Sequence, residues 1–303
     1  MLPVATNPPK NFPLYLYSTI LTIASILVIM GCEFLTVQLW GDGRSNPPEH
    51  TPLPTTDLSG GVVATPVDPQ DRITDEQGVE MSLIPAGDFT MGSETGDEDE
   101  IPVHTVYLDA FYLDVYEVTN ARYMQCVEAG VCSEPSSKSS YTQEAYYGNP
   151  DFSDFPVGNV DWEQAKIYCE WRGARLPTEA EWEKAARGGL IGKLYPWGDQ
   201  EPDCSQANLS GCSEDPLKVG SHPQNGFGLF DMAGNVWEYV WDFYSESYYK
   251  ESPSQNPQGP EDGIFHGSRG GSGFDEAKYL TSANRGWSIP FTETVYNGFR
   301  CAR

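Results

Sequence analysis

The stretch 226–239 reads GFGLFDMAGNVWEY and constrains the fold of this chain more than any other segment. Its glycines permit backbone angles and close approaches that a Cβ would forbid. Asn235 and Glu238 supply two oxygen-bearing side chains three residues apart. With turned-in backbone carbonyls they could complete an oxygen cage for a hard cation such as calcium. The alternative is a Gly-rich turn in which the asparagine and the glutamate make local hydrogen bonds.

Composition limits the partners of the chain. With 303 residues it is long enough for one large or two small domains. Its 30 glycines, 24 prolines and 13% aromatic residues indicate a compact, loop-rich domain with a substantial aromatic core. The net charge of −26 would repel phosphate backbones, so we expect no nucleic-acid partner. A divalent cation or a cationic partner is compatible with this charge.

The N-terminal segment predicts export and attachment to a membrane. Residues 11–32 carry no charge and form a run long enough to cross a bilayer. They end in Ile29-Met30-Gly31-Cys32, which is similar to the lipobox of bacterial lipoproteins, in which Cys32 would be lipidated. The alternative is an uncleaved signal anchor that runs to about Trp40. We therefore assign residues 1–40 to the anchor and expect the rest of the chain to be extracytoplasmic, tethered to the cell membrane.

The remaining chain divides into a linker and one domain. Residues 41–78 are rich in Pro, Gly and Thr with little periodicity, as expected for an extended spacer. Short strands are predicted within 81–92 and 104–116, and Thr119, Asp161 and Thr178 are N-caps of three predicted helices, over residues 120–128, 162–173 and 179–187. Turns and short strands dominate from Tyr195 onward. The domain, residues 79–303, is therefore predicted to be α+β, with few helices and much irregular structure.

The cysteine count predicts three disulfides. There are seven cysteines, and lipidation of Cys32 would leave an even number in an exported domain. Two pairs are close in sequence and look like local staples, and the remaining two cysteines would close a long loop to the C-terminus. The predicted pairs are Cys126–Cys132, Cys204–Cys212 and Cys169–Cys301. Zinc is not favoured because no CxxC occurs, and six oxidised cysteines leave no obvious free thiol for catalysis.

Several short motifs occur in one order along residues 79–303. They are MSLIPAG from position 81, FTMG from 89, YEVTN from 116, RLPTEAEWE from 175, PWG from 196, the stretch 226–238, GGS from 270 and GFRC from 298. In this combination and order the chain resembles the formylglycine-generating enzymes, also called sulfatase-modifying factors. The resemblance implies a C-type-lectin-like variant fold with little regular secondary structure, and it supports the pairing of Cys169 with Cys301.

The resemblance also implies two cation sites, with calcium as the cation. The first corresponds to Ala233, Gly234, Asn235, Val236 and Glu238, with Glu238 as the side-chain ligand. The second corresponds to Asn208 and Leu209, with Asp215 as the acidic partner, although the loop is shorter here. A further disulfide of the family would fall at Ala186 and Ser282, where this chain has neither cysteine.

One departure from the family changes the expected chemistry. The enzymes of this family oxidise a sulfatase cysteine to formylglycine with oxygen and a copper ion, which is held by two cysteines after the Gly-Gly-Ser turn. Residues 273–285 of this chain contain no cysteine. The hard carboxylates of Asp275 and Glu276 cannot replace thiolates for soft Cu(I). We therefore do not expect copper as a cofactor, and we expect formylglycine generation to be lost.

Other chemistries have little support in the sequence. Some relatives use an iron site with three histidines supplied by a separate helical domain, but the histidines here are scattered, and we expect them at the surface or in turns. They are His50, His104, His222 and His266. No nucleophile elbow, phosphate-binding loop or zinc motif occurs.

The predicted function is therefore that of a binding module. A pocket formed by Ser272, Asp275, Arg285 and Trp287 is the candidate site for a peptide, protein or small-molecule ligand, and no residue is assigned a catalytic role. Trp287 could equally belong to the core. The alternative function is an oxidoreductase that modifies a protein substrate, by formylglycine generation on sulfatases or a related oxidation with a different metal. A third alternative is a purely structural cell-surface module.

Overall fold

The computed structural model describes residues 71–289 and 293–303. The predicted anchor, its lipidation site Cys32 and most of the predicted linker lie outside the described residues. Within the described ranges, no helix combines the length and the hydropathy that a bilayer crossing requires. The described part comprises the predicted domain and the eight residues that precede it.

Nine short strands form three sheets within these ranges. The strands are β1 (Arg72–Thr74), β2 (Glu80–Ile84), β3 (Gly87–Met91), β4 (His104–Leu108), β5 (Phe111–Asp114), β6 (Trp237–Phe243), β7 (His266–Arg269), β8 (Arg285–Ser288) and β9 (Asn297–Gly298). The sheet orders are β1-β2-β5, β3-β4 and β8-β7-β6-β9. All neighbours are antiparallel except β6 and β9, which run parallel and align Glu238 with Gly298.

The domain begins earlier than the sequence predicts. Strand β1 pairs with β2 in a register that places Ile73 opposite Met81, so residues 72–74 belong to the domain and not to the linker. The predicted boundary at Val79 is therefore corrected. A three-residue strand is too short to show an alternating pattern, which explains why the sequence does not reveal it.

The three predicted helices are confirmed, with their caps. They are α1 (Asn120–Glu128), α2 (Trp162–Trp171) and α3 (Glu179–Arg187). Asp161 and Thr178 both form complete capping boxes. In each box the cap side chain accepts from the backbone N–H of the third helical residue, whose side chain accepts from the backbone N–H of the cap. Helix α3 ends at Gly188, whose φ of 57° is left-handed and favours glycine.

Helix α3 lies in the interior and organises the domain. All nine of its residues are buried, although five of them carry charged side chains. Trp182 packs in one core cluster with Leu113, Val106 and Val240, which belong to β5, β4 and β6, so α3 shares its core with all three sheets. A second cluster unites α1 and α2 through Tyr123, Tyr168 and Phe299, among other residues.

The three predicted disulfides are confirmed, and they link Cys126 to Cys132, Cys169 to Cys301 and Cys204 to Cys212. The second closes 132 residues and ties α2 to the C-terminal segment within the second core cluster.

Candidate functional site

The turn that follows β7 is the centre of the predicted pocket. Gly270 and Gly271 have positive φ angles of 96° and 73°. A Cβ at Gly271 would lie 2.9 Å from the carbonyl oxygen of Tyr279, so only glycine fits this left-handed, crowded position. The turn is joined to the stretch 226–239, because the Gly273 N–H donates to the Asn235 carbonyl at 3.0 Å.

The carboxylate of Asp275 accepts three hydrogen bonds on one oxygen. Its Oδ2 accepts from the Ser272 N–H at 3.0 Å, from the Ser272 hydroxyl at 2.5 Å and from Trp237 Nε1 at 2.8 Å. Ser272 Oγ in turn accepts from the Phe274 N–H at 3.2 Å. The structure therefore brings two of the predicted pocket residues, Ser272 and Asp275, into direct contact. Their side chains hydrogen-bond to each other, to the turn backbone and to Trp237.

The structure places Arg285 in a different environment. Its side chain is fully buried and forms a two-pronged ion pair with Glu179, at 2.8 Å from Nε and 2.9 Å from Nη2. It also donates to the carbonyls of Asp99 and Ser245. The prediction that Arg285 lines a ligand pocket is therefore corrected. A guanidinium without solvent contact requires a carboxylate partner, and α3 supplies that partner.

Trp287 also lies away from the contacts of Asp275. Its ring packs against Phe265, with 4.5 Å between ring centroids, and more loosely against Tyr244 at 6.4 Å. With 52% of its surface exposed, it does not occupy the core position that was its alternative. The four predicted pocket residues thus occupy three separate environments: the turn, the interior and an exposed aromatic surface.

A groove of about 340 Å³ borders the turn and was not predicted. It is lined by Gly273 and Phe274 and by residues 210–214. Phe274 is 52% exposed, and its ring contacts those of Tyr296 and Tyr141, with centroids 5.0 Å and 5.6 Å away. The sequence does contain a signal for the exposure of Phe274. An aromatic residue within a tight Gly-Ser turn is held at the surface, because the short turn cannot extend to the core.

Asp215 holds the edge of this groove. Its carboxylate accepts from the Tyr141 N–H at 2.8 Å, and from the N–H and the hydroxyl of Thr142. These bonds fix the loop that carries the exposed Tyr141 side chain. The Asp215 carboxylate thus serves the 141–142 loop, and its role as a calcium ligand stays a prediction.

Glu238 does not fit the predicted role of calcium ligand. Both of its oxygens accept from Arg300, each at 2.7 Å, and Oε2 also accepts from Trp182 Nε1 at 2.8 Å. The carboxylate is buried and its charge is balanced by the guanidinium. Within residues 71–289 and 293–303, no three His, Cys, Asp or Glu side chains converge as a metal-binding group. Any calcium here would depend on amide and carbonyl oxygens.

Asn208 and Asn235 provide such oxygens. Asn208 is fully buried, and its Oδ1 has no hydrogen-bond partner among the described residues. Its Nδ2 lies 3.2 Å from the Asp215 carbonyl oxygen and 3.3 Å from Asn235 Oδ1. The backbone holds the pair together, because the Asn208 carbonyl accepts from the Asn235 N–H and lies 2.1 Å from where a Cβ of Gly234 would stand. Ala233, Val236 and Leu209 are buried around this contact.

The prediction that the histidines lie at the surface or in turns is wrong for His266, whereas His222 does lie in a bend but is buried there. His266 lies within β7, and its ring stacks on Trp162 with 3.6 Å between centroids. Burial lowers the pKa of His266, with hydrogen bonds to the backbone of Trp241 and Asp242 opposing the shift. His222 is buried against Asp231, at 3.2 Å. Both histidines are thus packed interior groups, and the aromatic neighbours of His266 come from distant parts of the chain.

With this geometry established, the family can be assigned. A family model described as the sulfatase-modifying factor enzyme 1-like domain matches residues 68–303. The chain therefore belongs to the sulfatase-modifying factor, or formylglycine-generating enzyme, family. The match also begins before β1, in agreement with the corrected domain boundary.

The similar proteins include one named as a protein kinase and one named as a formylglycine-generating enzyme. It is 38% identical over 245 residues to the serine/threonine-protein kinase pkn1 of Chlamydia pneumoniae, covering 74% of this chain but only 38% of that protein. It is 34% identical over 276 residues to the formylglycine-generating enzyme of Streptomyces coelicolor, covering 72% of this chain and 87% of that enzyme. The chain thus spans well under half the length of the kinase that it matches.

A solved structure supports the same fold. PvdO from Pseudomonas aeruginosa superimposes with a TM-score of 0.67 at 28% identity, covering 80% of this chain and 99% of PvdO. The fold is the predicted α+β, C-type-lectin-like variant of the formylglycine-generating enzymes.

Proposed function

We propose that this chain is a membrane-tethered, extracytoplasmic binding module that retains the family fold without the thiol chemistry of formylglycine generation. The state of the cysteines carries this proposal. All six cysteines of the described residues are joined in disulfides, so none of them supplies a thiolate for Cu(I). After the Gly-Gly-Ser turn, the chain instead presents Asp275, a carboxylate held by Ser272 and Trp237.

The groove beside Phe274 is the proposed ligand site, and its fitting ligand is an extended peptide. Phe274 lines the groove, and its ring contacts those of Tyr141 and Tyr296, so three aromatic rings form a continuous series that starts at the groove. Two of these side chains are more than half exposed. Exposed aromatic rings on a rigid turn offer large contact area at little entropic cost, which is typical of binding hot spots. Asp275 and Asp215 rigidify the two segments that carry them.

Calcium is the proposed stabilising cation, held at the contact between Asn208 and Asn235. An asparagine amide can be turned by 180° without changing its shape. In the turned orientation, Asn208 Oδ1 would face the Asp215 carbonyl and Asn235 Oδ1, and three facing oxygens need a cation between them. Oxygen ligands of this kind suit Ca²⁺. The partnerless buried Oδ1 of Asn208 supports this reading.

Export and tethering are proposed from two observations. Three disulfides are typical of an oxidising compartment outside the cytoplasm. The charge-free run 11–32, with Cys32 at its end, supplies either a lipidated N-terminus or a signal anchor. Mass analysis of membrane-extracted protein distinguishes the two anchors, because lipidation at Cys32 removes the preceding residues and adds acyl mass.

The peptide-binding proposal is tested by selecting binders from a random peptide library with the full chain in detergent micelles. The affinity of a selected synthetic peptide is then measured by fluorescence polarisation. Phe274→Ala is expected to weaken binding by ten-fold or more, because burying one aromatic side chain contributes about 1.5–3 kcal/mol. Trp287→Ala, which removes an equally exposed ring elsewhere, should leave the affinity unchanged. Failure to select any binder, or equal binding by the Phe274 variant, would contradict the proposal.

The calcium proposal is tested by thermal unfolding of the full chain with calcium and with a chelator. Calcium at a hundred-fold excess over its Kd should add about 2.7 kcal/mol to the free energy of unfolding. Asn208→Leu should abolish this difference, whereas Asp203→Asn, at an exposed carboxylate, should preserve it. An unchanged melting temperature after chelation of the wild-type chain would overturn the site.

A further inference from the structure

A second cavity, of about 680 Å³, lies between the acidic loop after β3 and segments near residues 192–195 and 278–284. It shares no lining residue with the groove beside Phe274. Its volume is within the range of about 300–1,000 Å³ that is usual for small-molecule sites. It is far larger than a single metal ion requires, so an organic ligand or a protruding side chain fits it better.

Four carboxylates line the cavity without a lysine or arginine at ion-pair distance among the described residues. They are Glu94, Asp97, Glu100 and Glu201. None of the four forms an ion pair with a lysine or arginine in the described residues. The first three belong to one loop and the fourth to a separate segment, so the fold brings like charges together from two places. Such an arrangement costs free energy unless a cation is bound there.

The cations at the cavity wall are already engaged elsewhere. Arg187 is held by Glu183 at 2.7 Å and donates to the carbonyls of Gly92 and Lys193. The ammonium of Lys193 is paired with Asp199 at 2.6 Å. Lys278 is exposed and lies over the ring of Tyr279, 4.6 Å from its centroid, and 3.9 Å from Glu276. Lys278 also interacts with Asp97, but this one cation faces four carboxylates, so the net charge at the cavity is negative.

Two buried side chains on the cavity wall have unused hydrogen-bonding capacity. Glu100 is only 2% exposed, and its one side-chain donor is Asn284 Nδ2, at a long 3.4 Å. Asn284 is 4% exposed, and its Oδ1 has no partner in the described part of the chain. Burial raises the pKa of the Glu100 carboxyl, and the nearby Arg269 guanidinium offsets this only in part. Asn284 thus turns its amide nitrogen toward Glu100 and leaves its amide oxygen without a donor on the wall of the same cavity.

We propose that this cavity binds a primary alkylammonium group, with Glu100 and Asn284 as its recognition pair. The group would be carried by a free polyamine or by a lysine side chain of a peptide. An ammonium has three N–H donors, so it can satisfy the carboxylate and the amide oxygen at once. Tyr195 and Tyr279 also line the cavity. Trp197 stacks on Tyr195 and Lys278 lies over Tyr279, so the adjoining cationic chain would meet the other face of each ring.

The geometry favours an organic cation over a metal ion. A hard metal ion such as Ca²⁺ takes six to eight oxygen ligands at about 2.3–2.6 Å, so these oxygens must converge on one point. In the described ranges, no three acidic, histidine or cysteine side chains converge in that way. A cavity of this size with dispersed carboxylates instead suits an elongated organic cation. This can be a polyamine with several ammonium groups or a lysine side chain whose one ammonium group reaches Glu100.

Isothermal titration calorimetry of the full chain, in detergent micelles with 150 mM salt, tests the proposal. The probes are spermidine and the peptide acetyl-Gly-Lys-Gly-amide, with the Nε-acetyl-lysine peptide as the neutral analogue. At least one amine probe is expected to bind with one-to-one stoichiometry, and the acetylated peptide is not. Binding of spermidine alone identifies a free polyamine as the ligand class, and binding of the lysine peptide alone identifies a peptide side chain.

Variants separate the cavity from the general negative charge of the chain. Glu100→Gln should weaken amine binding by ten-fold or more. Glu201→Gln, at an exposed position of the cavity wall, should weaken it several-fold and serves if the Glu100 variant does not fold. The matched control is Glu261→Gln, an exposed carboxylate that does not line the cavity and should have less than a two-fold effect. Absence of one-to-one amine binding, or an equal loss with the Glu261 variant, would overturn the proposal.

Discussion

The interior around α3 and the turn 270–275 both depend on carboxylates, but the carboxylates have different partners. Glu183 is fully buried between Arg187 and Arg269, at 2.7 Å and 2.6 Å. Burial opposes ionisation there, yet the two guanidinium groups lower the pKa of Glu183 below its ordinary value. Asp275, by contrast, is half-buried and is held only by neutral donors, from Ser272 and Trp237.

This difference separates the requirements of the fold from those of its chemistry. Charges in the interior can be buried only as matched sets, because one unmatched charge costs several kcal/mol. The interior therefore cannot change one residue at a time. The turn is at the surface and bonded to neutral groups, so a family member can exchange its residues there and keep the fold. Residues 273–275, which contain no cysteine, belong to this second kind of region.

The largest effect is expected from the disulfide that closes the longest loop. In the loop-entropy model, closing the 132 residues between Cys169 and Cys301 contributes about 5 kcal/mol, against about 2.5 kcal/mol for the eight residues between Cys204 and Cys212. We expect C169A/C301A to lower the free energy of unfolding about twice as much as C204A/C212A. Urea unfolding of the two variants measures this, and equal losses would show that loop length does not govern their contributions.

Breaking the interior charge set is expected to have the next largest effect. Arg269 is fully buried, bonds Glu183 and donates to the carbonyls of Ala283, Asn284 and Ser282. Arg269→Met should cost about 3–5 kcal/mol in unfolding free energy. The control is Lys138→Met, which breaks the exposed pair with Glu134 and should cost under about 1 kcal/mol. Similar costs for both variants would remove the distinction between interior and surface.

Removing the carboxylate of the turn is expected to cost less. Asp275→Ala leaves the Trp237 indole N–H and the Ser272 N–H without their acceptor, which should cost about 1–3 kcal/mol. Glu276→Ala, at the adjacent and largely exposed position, should cost less than about 0.5 kcal/mol. Thermal unfolding distinguishes the two. A loss for Asp275→Ala as large as that for Arg269→Met would contradict the proposed independence of the turn.

A pH effect is expected from Asp242, one of the interior carboxylates that form no ion pair within the described residues. Burial and repulsion from Glu179 raise the pKa of Asp242 well above its ordinary value. Folding therefore takes up a proton, and this contribution to stability is present at pH values below the ordinary pKa and is lost as pH rises through the folded pKa. The slope is at most about 1.4 kcal/mol per pH unit. Asp242→Asn should flatten the pH dependence of the melting temperature above pH 5, while an unchanged profile would assign the effect to another group.

The sequence predicts local features of this fold better than long-range partners. Caps such as Thr178 and Asp161 are visible because they act over three residues, and the cysteine pairs are limited by parity and spacing. Long-range ion pairs are different: Arg285 pairs with Glu179, 106 positions away, and Glu238 pairs with Arg300, 62 positions away. Neither pairing leaves a periodic signal. For this reason the residues of the predicted pocket are dispersed, and the Glu238 carboxylate, which was predicted to bind calcium, accepts hydrogen bonds from Arg300.

The features missed at the surface have a similar cause. The groove beside Phe274 and the cavity near Glu100 are formed by loops from distant parts of the chain. Composition shows that acidic and aromatic residues are abundant, but it does not show which of them face the same space. The unused acceptors of Asn208 and Asn284 likewise become visible only when every neighbour is in place.

The most direct test of the central claim is a turnover assay of the full chain. The protein, folded and calcium-loaded, would be incubated with a sulfatase-type cysteine peptide, copper, oxygen and a reductant. The formylglycine-generating enzyme of Streptomyces coelicolor would serve as the positive control, and mass spectrometry would detect the peptide aldehyde. We expect no aldehyde from this chain, because its described cysteines are all in disulfides and the turn presents Asp275. Conversion of the peptide would contradict the account and establish an oxidoreductase that does not need the cysteine pair.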